Sequence, residues 1–289
     1  VQGWTEFFGR TNARTTNFWK GGRPKNISLG RMGGRTGWTK TTEEEEQEKE
    51  NNKENKKGIN KKHMCTLTKY YISINMQNLQ MAFENKKKVF LKSIKSKNTK
   101  SRNKYKRVAL STIRYAGGKS LAVGHVFELL PNHVKKVVSP FFGGGSVEIA
   151  MSKFLGLNVV GYDIFDILCN YWNFQIKKPE ALYKKLSQLQ PSFKEFERIR
   201  KILNKVWKKE IKLDPLTLAV YYVYNFNLSY GPGFMGWTSG IYLNQKKYQK
   251  MLEKIKNFKP GKLSVKQGDF EKVLKKHKND FLYCDPPYF

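Results

Sequence analysis

The chain has 289 residues, of which 39% are hydrophobic, and its formal net charge at pH 7 is +32. No run of about eighteen apolar residues occurs, so the sequence predicts no transmembrane helix and no membrane partner. Three cysteines without metal-type spacing indicate a reducing, cytoplasmic setting rather than a disulfide framework or a metal site. The excess of basic residues extends over the whole chain, which favours a polyanionic partner, above all nucleic acid; solvated lysines on helix faces are the alternative explanation.

Residues 1–107 are predicted to be a disordered, low-complexity basic leader. Residues 1–40 are rich in Gly, Arg, Thr and Trp and show neither helical nor strand periodicity. An RNA-binding Arg/Gly tail is the alternative function for that stretch. Residues 41–62 combine an acidic run with Asn/Lys repeats, and we expect them to be solvated. Residues 86–107 are expected to be a basic linker that could contact phosphates.

From residue 108 onward the pattern predicts an α/β fold. A strand over 135–140, a helix over 146–155 and a strand over 158–162 make a parallel, right-handed crossover. Further helices and strands are predicted at 166–174, 180–209, 214–226, 245–258, 262–266 and 281–284. The chain is divided accordingly into a first part of the catalytic domain, a helical insertion and a return to the sheet, at residues 108–175, 176–260 and 261–289.

A glycine-rich loop joins the first predicted strand to its helix, in the sequence Phe-Phe-Gly-Gly-Gly-Ser at 141–146. Glycines allow a sharp turn and close approach of a ligand, and the helix N-terminus adds partial positive charge. Asp163 follows at the end of the second strand, where a carboxylate can accept both hydroxyls of a ribose. This pair predicts a nucleoside-bearing cofactor. Glu148 occupies a glycine position of the diphosphate-binding fingerprint, which disfavours NAD.

Two further motifs flank this core. The stretch 114–119, Arg-Tyr-Ala-Gly-Gly-Lys, lacks the spacing of a P-loop, and Lys119 could pair with the carboxylate of a bound amino-acid moiety. After the last predicted strand, two prolines fix a rigid turn behind Asp285. There the Asp285 carboxylate and the Pro286 carbonyl could accept the protons of an exocyclic amine, and Tyr288 offers a ring for stacking.

Together, residues 114–119, 140–147, Asp163 and 285–288 resemble the Dam-type family of DNA adenine-N6 methyltransferases, from about residue 111 to the last residue. The resemblance implies a Rossmann-like S-adenosylmethionine-dependent methyltransferase sheet with a helical DNA-recognition insertion. It also implies double-stranded DNA as the partner and flipping of the target base. Ser139 departs from the family, which often has glutamate there, so we expect weaker cofactor binding.

The resemblance assigns roles to individual positions. The implied cofactor contacts are Tyr115, Lys119, Phe142, Gly143, Gly145, Asp163, Asp269 and Asp285. The implied catalytic residues, which hold the target adenine, are Asp285, Pro286, Pro287 and Tyr288. DNA contacts are expected within residues 221–247, from Asn225, Asn227, Tyr230 and Trp237, whereas Tyr221, Tyr222 and Tyr224 are expected to be packing residues.

Alternatives remain at this point. Methylation of N4-cytosine or of RNA uses the same amine chemistry, and an inactive DNA-binding fragment is a third interpretation. The family continues past the final motif, so we expect C-terminal strands to be missing and the 289-residue chain to methylate poorly, whereas a full-length parent would be active. Whether a cognate restriction endonuclease exists is left open.

Overall fold

The computed structural model describes residues 42–97, 103–231, 233–238 and 240–287. The helices are α1 Thr42–Ile94, α2 Val123–Leu129, α3 Ser146–Leu155, α4 Asp166–Lys177, α5 Pro179–Leu186, α6 Phe193–Trp207, α7 Pro215–Leu228, α8 Gln245–Lys256 and α9 Phe270–Lys276. The strands are β1 Lys136–Ser139, β2 Asn158–Asp163, β3 Ser229–Tyr230, β4 Trp237–Thr238, β5 Leu263–Gln267 and β6 Phe281–Leu282. None of the helices in these ranges has the length and apolar character needed to cross a membrane.

The main sheet has the strand order β5-β2-β1-β6, and all of its pairings are parallel. In chain order these are the third, second, first and fourth strands of the sheet, which is the doubly wound order. The strand order reverses between β1 and β6, and open α/β sheets bind ligands outside the carboxyl ends of the strands at such a point. The prediction of a Rossmann-like α/β sheet is confirmed.

One apolar core connects the sheet to the helices that follow it. The central strands are rich in valine, as expected of parallel strands covered on both faces, and Val137 and Val159 are fully buried. Trp172 of α4, Phe196 of α6 and Tyr222 of α7 belong to the same cluster. The helical insertion therefore packs directly against the part of the chain that carries the sheet.

Local sequence signals set several helix boundaries. The side chains of Ser192, Asp214 and Asn244 accept hydrogen bonds from backbone N–H groups in the first turns of α6, α7 and α8. The single helix predicted over 180–209 is two helices, because Pro191 in the connection cannot continue a helix. Helices α1, α2 and α9 and the short β3–β4 hairpin were not predicted.

The structure corrects the predicted linker over residues 86–107. The chain from Gln80 onward forms one compact unit, and the earlier part of α1 belongs to another. Within the first of these units, Phe83 and Phe90 are buried, and the Phe90 ring stacks on Phe154 with a centroid distance of 4.4 Å. The two phenylalanines are two helical turns apart, so they lie on one face of α1. Between them Lys86 and Lys88 are exposed, whereas Lys87 donates to the Leu130 carbonyl at 2.7 Å. Residues 1–41 and 98–102 of the predicted leader lie outside the described residues, and the other predicted domain boundaries stay predictions.

Candidate active site

The glycine-rich loop between β1 and α3 adopts a backbone that only glycine tolerates well. Gly143 and Gly145 have φ angles of 48° and 62°, in the left-handed region. A Cβ atom on Gly143 would lie 2.8 Å from the Tyr115 ring, and one on Gly145 would lie 2.4 Å from the Phe142 ring. Both conformation and space therefore exclude larger side chains, and the loop lies directly beneath Tyr115.

Asp163 and Trp172 hold this loop in place. The Gly143 N–H donates to Asp163 Oδ2 at 2.5 Å, and the Trp172 indole N–H donates to the Gly143 carbonyl at 3.0 Å. The other Asp163 oxygen accepts from the Ile164 N–H at 2.7 Å. The Asp163 side chain thus connects the end of β2 to the loop after β1 through a hydrogen bond. Sequence reasoning missed Trp172, because no local pattern shows which residue of a buried helix face reaches the loop.

The structure brings the first and last motifs into direct contact. Lys119 Nζ lies 2.8 Å from Asp285 Oδ1, and the two side chains are 25% and 23% exposed. The same ammonium donates to the Gly117 carbonyl at 2.8 Å. Asp285 reaches this position because Tyr283 N–H donates to the Val138 carbonyl at 2.9 Å, which extends the pairing of β6 with β1. The ion pair therefore lies where the strand order reverses.

A third carboxylate, that of Glu148, is buried beside this ion pair. Glu148 is 3% exposed, and Oε1 accepts a hydrogen bond from the Ser139 hydroxyl at 2.7 Å. Burial raises the pKa of Glu148 to about 7, and the negative charge of Asp285 acts in the same direction. Burial also raises the pKa of Asp163 well above its usual value, against the effect of the Gly143 N–H. In a chain of net charge +32, this site is locally acidic.

Ser139 and Glu148 also bear on the departure from the family pattern at the end of β1. The serine hydroxyl donates to the carboxylate of Glu148 in the first turn of α3. A buried carboxyl group therefore lies at the end of β1, although the strand itself has serine where the family often has glutamate. The sequence argument used Glu148 only against a diphosphate, and nothing in the local pattern showed that the two side chains meet.

Comparison with known proteins agrees with this geometry. The family model of D12 class N6 adenine-specific DNA methyltransferases matches residues 115–289, which is more than half of the chain. The chain belongs to this family. The predicted resemblance to adenine-N6 methyltransferases is thereby confirmed.

One relative of this D12 family member is the type II methyltransferase M1.LlaDCHI of Lactococcus lactis subsp. cremoris. It is 27% identical over 188 residues, which cover 61% of this chain and 64% of the relative. The chain therefore spans slightly less than two thirds of the length of this curated relative.

Two further predicted cofactor residues of this D12 chain, Tyr115 and Asp269, are both half-buried. The Tyr115 ring contacts Gly143 and is nearly parallel to the Phe226 ring, at a centroid distance of 5.9 Å. Asp269 caps α9, since Oδ1 accepts from the N–H groups of Glu271 and Lys272. That capping role is structural, and a contact with the cofactor's adenine stays a prediction.

Phe142 differs from its predicted role as a cofactor contact. Its ring is 2% exposed, packs edge-on against Trp172, and lies against the backbone of Gly145 and Gly161. The ring therefore belongs to the core beneath the loop, and only the Phe142 backbone can face a ligand. Its N–H already donates to the Tyr162 carbonyl at 2.8 Å.

In the final motif, Pro286 and Pro287 are exposed beside Asp285. Tyr288 lies outside the described residues. The predicted catalytic roles of these four positions stay predictions.

The structure corrects the predicted DNA contacts of Asn225 and Asn227. Both side chains are buried, and both bind the protein itself. Asn227 accepts from the Arg114 N–H at 3.1 Å and donates to the Thr112 carbonyl at 3.0 Å. Asn225 Oδ1 accepts from the Met235 N–H at 2.9 Å. In this arrangement the two amides position the segments around the site and do not face a base edge.

Tyr230 and Trp237 are placed differently. They face each other across the β3–β4 hairpin and are 65% and 74% exposed. An exposed aromatic pair on a hairpin suits contact with DNA, which stays a prediction. Tyr222 and Tyr224 are fully buried, so the expectation that they are packing residues is confirmed.

Proposed function

We propose that the protein transfers a methyl group from S-adenosylmethionine to N6 of adenine in double-stranded DNA. The observation that carries this proposal is the Lys119–Asp285 ion pair, which joins the first and last sequence motifs where the strand order of the sheet reverses. Membership of the D12 family supports the choice of adenine and of DNA.

The chemistry of the site fits the proposed cofactor. S-adenosylmethionine carries a positive sulfonium, and the site offers the buried carboxylates of Glu148 and Asp163. Asp163 retains lone pairs that could accept ribose hydroxyls, because each of its oxygens accepts one backbone N–H. Lys119 would hold the amino-acid carboxylate, and the glycine loop leaves room for close approach. When bound, the cofactor supplies an electrophilic methyl group.

On the target side, the residues after β6 would align the exocyclic amine. The Asp285 carboxylate and the Pro286 carbonyl can accept its two protons, which favours the tetrahedral, nucleophilic form of the nitrogen. Lys119 holds one carboxylate oxygen of Asp285, and the prolines fix the backbone behind it. Alignment of this kind can supply most of the acceleration of a direct displacement.

An adenine inside a duplex cannot reach this site, so the base must be flipped out at a cost of a few kcal/mol. We propose that Tyr288 stacks on the flipped base. We also propose that Tyr230 and Trp237 contact the duplex from which the base has been flipped. Aromatic stacking contributes about 1–3 kcal/mol per base, which is enough to offset much of that cost.

Product analysis tests the proposal directly. The chain is incubated with tritiated S-adenosylmethionine and unmethylated duplex DNA, and the DNA is digested to nucleosides. Any tritium transferred is expected in N6-methyldeoxyadenosine, at the low level expected of the 289-residue chain. Tritium in N4-methyldeoxycytidine, or transfer to RNA alone, would contradict the proposed specificity. DNA binding without any transfer would instead support an inactive DNA-binding fragment.

The proposal extends to a cytoplasmic enzyme accompanied by a restriction endonuclease of the same recognition sequence. The name type II methyltransferase, which the lactococcal relative carries, supports this extension. Cleavage of unmethylated but not of methylated DNA by an extract of the source cells would test it.

A further inference from the structure

A cavity of about 610 Å³ lies between the chain segment around Arg114 and helix α8. Its charged lining residues are Arg107, Arg114, Lys247, Lys250 and Lys254. A neighbouring cavity of about 150 Å³ shares Lys254 and adds Lys153 and Lys259. None of the described residues that line either cavity is Asp or Glu. We call the two cavities together the basic groove.

Three of the five lysines of α8 form one continuous row along the groove. Lys247, Lys250 and Lys254 follow a helical spacing, while Tyr248 and Leu252 turn into the core. At 1.5 Å per residue, the row from Lys247 to Lys254 is about 10 Å long. Like charges on one helix face repel one another. Partial burial also lowers the pKa of Lys254, so an anion in the groove would relieve both costs.

Arg114 is held rigidly at the other wall of the groove. Its guanidinium lies 3.8 Å from the centroid of the Tyr242 ring, and Nη1 donates to the Asn227 carbonyl at 3.0 Å. Lys247 lies 5.6 Å from the same ring and donates to the Ile241 carbonyl at 2.9 Å. Because these cations are already positioned, little side-chain entropy would be lost when they bind an anion.

The groove adjoins the candidate active site through Tyr115. Tyr115 lines the larger cavity, and the same ring packs against Gly143 of the glycine loop. Along one DNA strand the phosphates are spaced by about 3.4 Å of helix axis, so a row of about 10 Å faces about three of them. A single small anion could contact only part of such a row.

We propose that the basic groove binds consecutive phosphates of the DNA backbone beside the site of methyl transfer. The identity of the polyanion rests on the proposed function, whereas the groove itself rests on its lining residues. These lysines would supply affinity and register without reading sequence, as phosphate contacts do in other complexes.

Salt-dependent DNA binding tests the groove. The triple variant K247Q/K250Q/K254Q is compared with K275Q/K276Q/K278Q, in which three exposed lysines outside both cavities lose the same charge. Affinity for a mixed-sequence fluorescent duplex is measured by anisotropy between about 50 and 200 mM salt. Each lost phosphate contact lowers the slope of log K against log salt by about 0.9, so the groove variant should lose about 2–3 in slope. Equal slopes for the two variants would overturn the proposal.

A second measurement uses the unaltered protein and does not depend on the folding of a variant. Lysines are acetylated with and without the duplex, and the modified positions are quantified by mass spectrometry. We expect DNA to protect Lys247, Lys250 and Lys254 but not Lys275 or Lys276, and equal modification of both groups would overturn the proposal. If DNA protects the groove lysines but no methyl group is transferred, the groove proposal is supported and the proposed function is contradicted. The two proposals can therefore fail separately.

Discussion

The candidate active site and the basic groove share Tyr115 but differ in the ionisable side chains that line them. The active site gathers the carboxylates of Glu148, Asp163 and Asp285 around the glycine loop, whereas the groove gathers lysines and arginines with no described acid in its lining. Net charge therefore predicts the polyanionic partner but not the character of the catalytic pocket.

The two regions also differ in how their charges are supported. Glu148 and Asp163 are buried, and hydroxyl or N–H donors hold them, because an unsupported buried carboxylate is costly. The lysines of α8 remain in contact with water. Changes in the acidic site should therefore affect stability and methyl transfer, and changes in the groove should affect salt-dependent DNA binding. The following predictions test that separation.

The largest effect is expected from D285N. Loss of the Asp285 charge removes both the partner of Lys119 and a proposed acceptor for the target amine. Methyl transfer should fall by at least about 100-fold, since misalignment of reacting groups has effects of this size. The salt slope of DNA binding should not change. The control is D166N, which alters an exposed aspartate in the first turn of α4. Comparable transfer by D285N and D166N in single-turnover assays would contradict the assignment.

G145A should be the most destabilising change in the glycine loop. An alanine at this position would adopt a left-handed φ, which costs about 1–2 kcal/mol of unfolding free energy. Its Cβ would also clash with the Phe142 ring, which costs about 1–3 kcal/mol more. G156A is a matched control, because Gly156 has φ 70° and only the end of the Lys86 side chain, 3.9 Å away, near a new Cβ. Urea unfolding should show a clearly larger loss of unfolding free energy for G145A, and similar losses would mean that Phe142 moves aside.

E148Q should change how stability depends on pH. The folded-state pKa of Glu148, about 7, lies above the unfolded value near 4.5, so the folded protein binds the extra proton. The stability associated with this proton is complete below pH about 4.5 and is lost as the pH rises to about 7. E148Q avoids that loss and should be more stable than the unaltered protein at pH 8, by up to about 3 kcal/mol, and by much less at pH 5. Parallel stability–pH curves would contradict this prediction.

The smallest effect is expected at the hairpin. Trp237 is 74% exposed, so W237A should change unfolding free energy by no more than about 0.5 kcal/mol. If Trp237 contacts DNA, the variant should lose about 1–3 kcal/mol of binding free energy. F193A, at a 63% exposed aromatic residue of α6, is the control. Equal DNA affinities of the two variants in anisotropy titrations would contradict a contact between Trp237 and DNA.

Sequence reasoning predicted the sheet well and the details of the site less well. The valine-rich strands and the glycine turn signalled a parallel crossover, and the motif order predicted one pocket for Lys119, Asp163 and Asp285. The observed Lys119–Asp285 contact agrees with that pocket. Asn225 and Phe142 were assigned to ligands, yet both are buried. Residue type alone does not show whether a polar or aromatic side chain faces a ligand or the core.

The sequence by itself determined the strands of the main sheet and where the backbone must turn at glycine or proline, and it predicted a nucleoside cofactor and DNA as ligands. Only the tertiary structure decided which charges meet. It paired Ser139 with Glu148, placed Arg114 on Tyr242, and turned the lysines of α8 toward the segment before the glycine pair. The physical reason is that periodicity and turn chemistry act between neighbours in the chain, whereas electrostatic energy depends on through-space distance and burial, which packing creates.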